Sequence, residues 1–303
     1  MKRIVITGAT SMLGTALTEV ALQEDAEVYA IIRPNTKRLD RLNPSPRVHI
    51  VHGELDNLDK IDNLPKDCDV FYHFAWAGTA RATRDDPVIH EQNIKYTLDA
   101  VELANRAGCH RFVCAGSQAE YGPAYDKIDE NTKCVPTTSY GVAKYSAGIL
   151  SRKLCEKNGM DHVWGRVFSV YGPHDNEGTM LEHAIRIWDK GGTASFSSGL
   201  QSWNYLYESD AGEMFYRLGS DDVPVGTYFI ANPESRILKE YIEILMKTYG
   251  AGAKAEFANP ELNVLPGLDV DMSQTLDLLK YYSYVDFENG ISVMIDAIGR
   301  DLN

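Results

Sequence analysis

Tyr140 and Lys144, within Tyr140-Gly141-Val142-Ala143-Lys144, are the residues of this chain best suited to chemistry. Four apart on a helix, they lie side by side, because the helix repeats about every 3.6 residues. An ammonium beside a phenol favours the phenolate, so such a tyrosine can give and take a proton below its ordinary range. Taken alone, the pair is a weak signal, since tyrosine and lysine four apart more often mark a solvated helix face. The choice between the two depends on the elements that precede it.

The first of these elements opens the chain. Lys2 to Thr7 reads as a short buried strand, followed by Gly8-Ala9-Thr10-Ser11-Met12-Leu13-Gly14 and a helical pattern from about Leu13 to Gln23. Strand, glycine turn, helix is the context that makes such a turn a dinucleotide site. Gly8 permits the tight turn, Gly14 allows close packing, and the free N–H groups of the helix start suit a pyrophosphate. Ser11 stands where a middle glycine is often found. Its hydroxyl can donate to phosphate, while its side chain narrows the backbone approach. Glu27 to Ile32 reads as the second strand and ends in Arg33, with Lys37 and Arg38 in the next loop. A carboxylate at that strand end would bind the ribose 2′-hydroxyl, whereas an arginine accommodates a 2′-phosphate. NADP(H) is therefore expected ahead of NAD(H).

Further strands are expected at Val48–His52, Val70–Phe74, Arg111–Ala115 and His162–Arg166, with helices at Val88–Gly108 and from Tyr140 to about Asn158, capped by Thr138 or Ser139. Gly116-Ser117 follows the fifth strand, at the carboxyl end where open α/β sheets place their ligands. This alternation implies a doubly wound parallel sheet of the Rossmann type with right-handed crossovers. After residue 173 the pattern loosens. Helices are expected at Met180–Lys190, Asp210–Leu218, Ile237–Tyr249, Ser273–Leu279 and Ile291–Ile298, and strands at Tyr205–Tyr207 and Thr227–Ile230. The expected division is an NAD(P)-binding domain over residues 1–168 and a small, mostly helical substrate-binding lobe over 169–303. Segments near 202–232 are expected to rejoin the sheet.

A chain of 303 residues with 44% apolar content can bury a large core. Its formal charge of −13 argues against nucleic acid and anionic membrane as partners. No apolar run has the length of a membrane span, and no signal-peptide pattern follows Met1. The five cysteines are widely spaced without a CxxC, as expected of reduced thiols in a cytoplasmic protein. No metal site is expected, since the histidines are scattered and His49 and His52 fall on opposite faces of their strand.

The glycine turn, Ser117 after the fifth strand, and Tyr140/Lys144 on the next helix resemble, in that order, the extended short-chain dehydrogenase/reductase superfamily. Within it, the likeness is to the nucleotide-sugar epimerase/dehydratase/reductase group, over nearly the whole chain. Ser117-Gln-Ala-Glu-Tyr121-Gly122 looks like its Ser/Thr-x-x-x-Tyr-Gly segment and Tyr140 to Lys144 like its YxxxK. Arg166-Val-Phe-Ser169-Val-Tyr171-Gly-Pro looks like R-x-x-N-x-Y-G-P, and Trp203-Asn204-Tyr205-Leu-Tyr207-Glu-Ser-Asp210 like R-D-F-I-x-V-x-D. The resemblance implies Tyr140 as general acid/base on a sugar oxygen, Lys144 on the nicotinamide ribose and Ser117 hydrogen-bonded to the reacting oxygen. It implies Glu54 and Leu55 at adenine, Phe74, Ala75 and Trp76 along the cofactor, and Asn93 on the bordering helix. Gln118, Phe168, Ser169 and Trp203 would face the substrate, a nucleotide sugar. It also implies a homodimer through the helices at Val88–Gly108 and Tyr140–Asn158.

The departures narrow the chemistry. Dehydratases of this group carry an Asp-Glu pair where this chain has Gln118 and Ala119, and alanine transfers no proton. Ser169 replaces an asparagine, and Trp203 replaces an arginine that meets the substrate diphosphate. Two activities remain, both using Ser117, Tyr140 and Lys144. An NADPH-dependent reductase of a nucleoside-diphosphate 4-keto-6-deoxyhexose is favoured by Arg33. An NAD-dependent nucleotide-sugar 4-epimerase is the alternative. A non-catalytic NADP-sensing protein of the same fold would be expected to lack the Tyr–Lys pair.

Overall fold

A computed structural model describes residues 1–80, 82–259 and 265–300. The chain divides into two compact units. The first comprises residues 1–122, 133–167 and 211–230, and the second comprises 123–132, 168–210 and 231–303.

The first unit is built on a sheet of seven parallel strands. In chain order these are β1 (Arg3–Thr7), β2 (Glu27–Ile32), β3 (Val48–His52), β4 (Val70–His73), β5 (Arg111–Ser117), β6 (Asp161–Val167) and β11 (Gly226–Ile230). Their spatial order, β11-β6-β5-β4-β1-β2-β3, reverses direction between β1 and β4. That reversal opens a crevice at the strands' carboxyl ends, the usual ligand position of such sheets. Strands β4 and β5 are buried at every residue, as expected of parallel strands covered on both faces. The covering helices are α1 (Met12–Gln23), α2 (Pro87–Arg106), α3 (Ser139–Asn158) and α5 (Glu208–Leu218). A Cβ on Gly212 of α5 would stand 2.6 Å from the Ala16 backbone of α1, so that crossing requires glycine.

The second unit holds β7 (Ser169–Tyr171), α4 (Met180–Asp189), β8 (Ala194–Phe196), β9 (Ser202–Trp203), β10 (Tyr205–Tyr207), β12 (Arg236–Ile237), α6 (Leu238–Tyr249), β13 (Ala255–Phe257), α7 (Ser273–Leu279) and α8 (Phe287–Arg300). Its strands form three two-stranded ladders, β10-β7, β12-β9 and β13-β8. An aromatic core gathers Tyr171, Tyr205, Tyr241 and Phe287 with the inner faces of α4, α6 and α8.

Three expectations need correction. Of the segments near 202–232, residues 211–230 group with the first unit, whereas Tyr205–Tyr207 pairs with Ser169–Tyr171 and Trp203 with Arg236 in the second. Residues 123–132 group with the second unit, where Ile128 bridges Val270. Helix α8 begins at Phe287 rather than Ile291, despite Asn289-Gly290. Gly290 is there for packing, since a Cβ would stand 2.4 Å from the Tyr171 hydroxyl oxygen. The short ladder strands β8, β9, β12 and β13 carry too few residues for a period to be read.

Candidate active site

The glycine turn joins β1 to α1 at the crevice. Gly8 has φ +70°, and a Cβ there would stand 2.7 Å from the Ala75 nitrogen. A Cβ on Gly14 would stand 2.3 Å from the Gly8 carbonyl oxygen. Both positions therefore require glycine, and the turn lies against the β4 exit. Helix α1 starts at Met12, with Ser11 as its N-cap. The Ser11 Oγ accepts from the Gly14 N–H at 3.2 Å, which leaves its hydroxyl proton free to donate. The first N–H groups of α1 have no partner within the helix. A pyrophosphate fits this cradle: glycine backbone close by, a hydroxyl donor at Ser11 and a positive helix end at Thr10 to Leu13.

Arg33 is exposed at the carboxyl end of β2, and Lys37 and Arg38 are exposed in the loop that follows. Glu54 is exposed after β3, and Leu55 packs against the core. Phe74 is buried after β4, with its N–H on the Thr7 carbonyl. Asn93 spends its amide on the loop after β4: its oxygen accepts from Ala77 N–H at 2.8 Å and its nitrogen donates to the Ala77 carbonyl at 3.0 Å. It acts here as a brace for the loop that carries Ala75 and Trp76.

Lys144 is almost wholly buried on α3. Its Nζ donates to the Ala115 carbonyl at 2.8 Å and lies 3.7 Å from the centre of the Trp76 ring. The carbonyl and the indole face hold the ammonium where α3 passes the end of β5. His73, at the end of β4, is wholly buried with Nδ1 at 2.8 Å from the Thr7 hydroxyl. Burial, with the Lys144 charge nearby, pushes its pKa down to about 3, so the ring is neutral.

Tyr140 is half-buried one turn before Lys144 and has three further neighbours. Its ring meets His90 and Trp76 edge-on at 5.5 and 6.1 Å, and the Arg84 guanidinium lies 4.5 Å from its centre. His90 is buried between the Trp76 Nε1 at 3.3 Å and the Arg84 carbonyl at 3.0 Å. Asp85 accepts from the Ser139 N–H at 2.7 Å, which ties the same loop to the start of α3.

Ser117 ends β5 and caps a single 3₁₀ turn, residues 118–120. Its Oγ accepts from the Ala119 N–H at 3.2 Å, so the hydroxyl proton remains available to another acceptor. Gln118 is half-buried on that turn. Thr138 caps α3 through the Gly141 N–H at 3.1 Å. A Cβ on Gly141 would stand 2.4 Å from the Ala119 carbonyl oxygen, so the first turn of α3 lies directly on the Ser117 turn. This close approach brings Ser117, Tyr140 and Lys144 to one end of β5.

Phe168, Ser169 and Trp203 belong to the second unit. Phe168 is buried, and Ser169 pairs with Tyr205 across β7 and β10. Trp203 is half-buried, with its ring 6.4 Å from that of Tyr205. Among the described residues no group of three histidine, cysteine, aspartate or glutamate side chains could hold a metal ion. His49 lies 3.8 Å from Glu27, and His52 is exposed.

Sequence reasoning missed Arg84 and His90, which only the loop's path brings to Tyr140. It also missed Glu120, for which a signal existed: Ser117-Gln-Ala-Glu120 has the S-x-x-E spacing of a capping box.

Residues 4–231 match the NAD dependent epimerase/dehydratase family. The chain is 24% identical over 304 residues to a UDP-glucuronate 4-epimerase of Thermodesulfobacterium geofontis, covering 95% of this chain and 93% of the relative. It is 23% identical to UDP-glucuronic acid decarboxylase 1 of Xenopus tropicalis, covering 99% of this chain and 73% of the relative. Among solved structures, a UDP-N-acetylglucosamine 4-epimerase from Methanobrevibacter ruminantium, in complex with UDP-N-acetylmuramic acid, superimposes with a TM-score of 0.87 at 20% identity, covering 99% of both chains. A UDP-glucuronic acid 4-epimerase from Bacillus cereus, in complex with NAD, gives 0.85 at 22% identity, covering 98% of this chain and 97% of the other.

Proposed function

Because the chain belongs to the NAD dependent epimerase/dehydratase family, as an enzyme of its nucleotide-sugar group, we propose that it inverts C4 of a UDP-sugar with a retained NAD. The observation that carries this reading is the close seating of α3 on the Ser117 turn, which gathers Ser117, Tyr140 and Lys144 at the carboxyl end of β5. The relatives that span the chain from end to end include 4-epimerases. That support reverses the order expected from Arg33, which put 4-keto reduction first.

A bound nicotinamide would supply the hydride acceptor and donor at C4, with Gly8, Thr10 to Gly14, Glu54, Leu55 and Phe74 to Trp76 holding the dinucleotide. Tyr140 takes the proton of the C4 hydroxyl and returns it after the ring has turned its other face. Ser117 donates its hydroxyl proton to the same oxygen, where negative charge builds up. Lys144 supplies a fixed positive charge beside the tyrosine and a donor for the ribose. Gln118, Phe168, Ser169 and Trp203 face the sugar and its nucleotide. Ala119 leaves no acid to expel water, so elimination is not the outcome.

The test is the dinucleotide that co-purifies and the fate of UDP-sugars. Retained NAD, with UDP-glucose, UDP-N-acetylglucosamine or UDP-glucuronate converted to its C4 epimer, is expected. An empty protein that consumes NADPH only with a 4-keto-6-deoxy nucleotide sugar would overturn it. That second reading, NADPH-dependent reduction, is favoured by one observation: exposed Arg33, Lys37 and Arg38 at the end of β2, with no carboxylate at the strand end.

All five cysteines are free, which fits a reducing cytoplasm. Among the described residues no helix is long and apolar enough to cross a membrane. The proposed assembly is a homodimer through α2 and α3, where Val88, Val142, Ile149 and Leu150 are exposed apolar residues. Light scattering that gives a monomer mass would remove the dimer without touching the catalytic reading.

A further inference from the structure

We propose that Glu120 and Arg166 are positioning residues for Ser117: a buried charge pair that fixes the serine against the reacting oxygen. The proposal rests on the catalytic role given to Ser117 above.

Glu120 is buried, and each of its oxygens is committed. Oε1 accepts from the Ser117 N–H at 2.8 Å and from the Trp164 indole N–H at 2.9 Å. Oε2 accepts from the Arg166 Nε–H at 2.7 Å. Arg166 in turn donates from Nη1 to the Tyr121 hydroxyl at 2.7 Å and lies 4.7 Å from the centre of that ring. Strand pairing sets Arg166 opposite Gly116, the residue before the serine. A Cβ on Gly116 would stand 2.1 Å from the Trp164 Nε1 and 2.7 Å from Glu120 Oε1, so the network reaches the strand end only because that residue is glycine.

Stability is a poor reason for such a pair. Desolvating two charges is expensive, and apolar residues of similar volume often serve as well. What the pair supplies is direction. One 3₁₀ turn holds its cap weakly, since its hydrogen bonds are few and strained. Ser117 is nevertheless held from both sides, by Ala119 N–H on its Oγ and by Glu120 on its own N–H. With its oxygen accepting from the turn, the hydroxyl proton is aimed away from it. Small displacements of a reacting or positioning group lower rates steeply. Replacing the pair should therefore act on turnover through Ser117, while the cofactor cradle at α1 is left alone.

The experiment uses the full chain loaded with its dinucleotide. Glu120→Leu combined with Arg166→Met fills the volume without burying a lone charge, and Glu120→Gln keeps one acceptor for the Ser117 N–H. The double variant is expected to fold, retain the dinucleotide with unchanged Kd, keep KM and lose roughly 30–100-fold in kcat. Glu120→Gln is expected to recover most of that loss. In a Ser117→Ala background the same double change is expected to cost nothing further. Losses that multiply in that background, or an unchanged kcat in the folded double variant, overturn the proposal. If the wild-type chain turns over no UDP-sugar, the functional reading fails separately. Hydrogen exchange then decides the positioning role: the Ser117 amide should lose protection in the double variant, and unchanged protection overturns it.

Discussion

Two largely buried carboxyls, Glu120 in the first unit and Asp175 in the second, meet burial in opposite ways. In the first, the Glu120 carboxylate beside Ser117 has a donor on each oxygen, and the buried His73 and His162 rings are neutral. In the second, Asp175 is held largely out of water next to Glu182 and Glu208, and burial, with those like charges, pushes its pKa up to about 7. It accepts from the Thr179 hydroxyl at 2.8 Å and the Asn176 N–H at 2.7 Å. A parallel sheet with both faces covered tolerates charge only when it is fully paired. Asp175, buried beside two like charges, adjusts its own protonation instead. Chemistry should therefore be disabled by changes in the first unit and retuned by changes in the second.

The largest effect is expected at Tyr140. Tyr140→Phe should slow turnover roughly 10²–10⁴-fold while dinucleotide binding persists, as read by steady-state rates and cofactor titration. Trp203→Ala, in the second unit, should instead raise KM for the nucleotide sugar with kcat nearly unchanged. If Trp203→Ala abolished turnover and spared KM, the division of labour would fail.

Next come the histidines of the first unit. Burial pushes His73 down to about 3 and His162 to about 4, against about 6.5 in an unfolded chain. The unfolded chain takes up protons first, so stability is complete above about pH 6.5 and falls as the pH drops toward 4, by about 1.4 kcal/mol per pH unit for each histidine. His162→Gln, which keeps a partner for Ser151, should flatten that acid limb in denaturant titrations at several pH values. An acid limb of equal slope would show that His162 does not titrate on unfolding.

Arg33→Ala should weaken NADPH binding by about 1.5–3 kcal/mol if a 2′-phosphate is bound, and leave NADH binding unchanged. Equal losses for both dinucleotides would mean that Arg33 meets the adenosine rather than a phosphate.

The smallest effect is expected at Asp175, and its sign is opposite. Its folded pKa of about 7 lies above the unfolded value of about 3.9, so stability is lost as the pH rises between them. Asp175→Asn should be more stable than the parent at pH 8, on the order of 1–2 kcal/mol for a carboxyl partly open to solvent, and no more stable at pH 4. A gain that is equal at both pH values would point to packing rather than ionisation.

The sequence alone determined the parallel Rossmann sheet, the glycine turn and the Ser117, Tyr140, Lys144 series. Each of these rests on local chemistry: alternating apolar runs, a turn that only glycine can make, and a four-residue spacing on one helix. The boundaries it placed well belong to the same class, such as β2 and β3; between Thr138 and Ser139 as the cap of α3, only the structure chose Thr138. Tertiary structure decided what those residues touch. Lys144 on the Trp76 face, Arg84 over Tyr140, and Asn93 bracing Ala77 bring together segments whose separation carries no period. Helix α8 runs through Asn289-Gly290 because Tyr171 needs the space, which no local propensity records. The Ser117–Glu120 spacing stood in the sequence, but its partners Trp164 and Arg166 come from a strand more than forty residues on. Pairing of β5 with β6 turned a short capping signal into a closed, charged support beneath the serine.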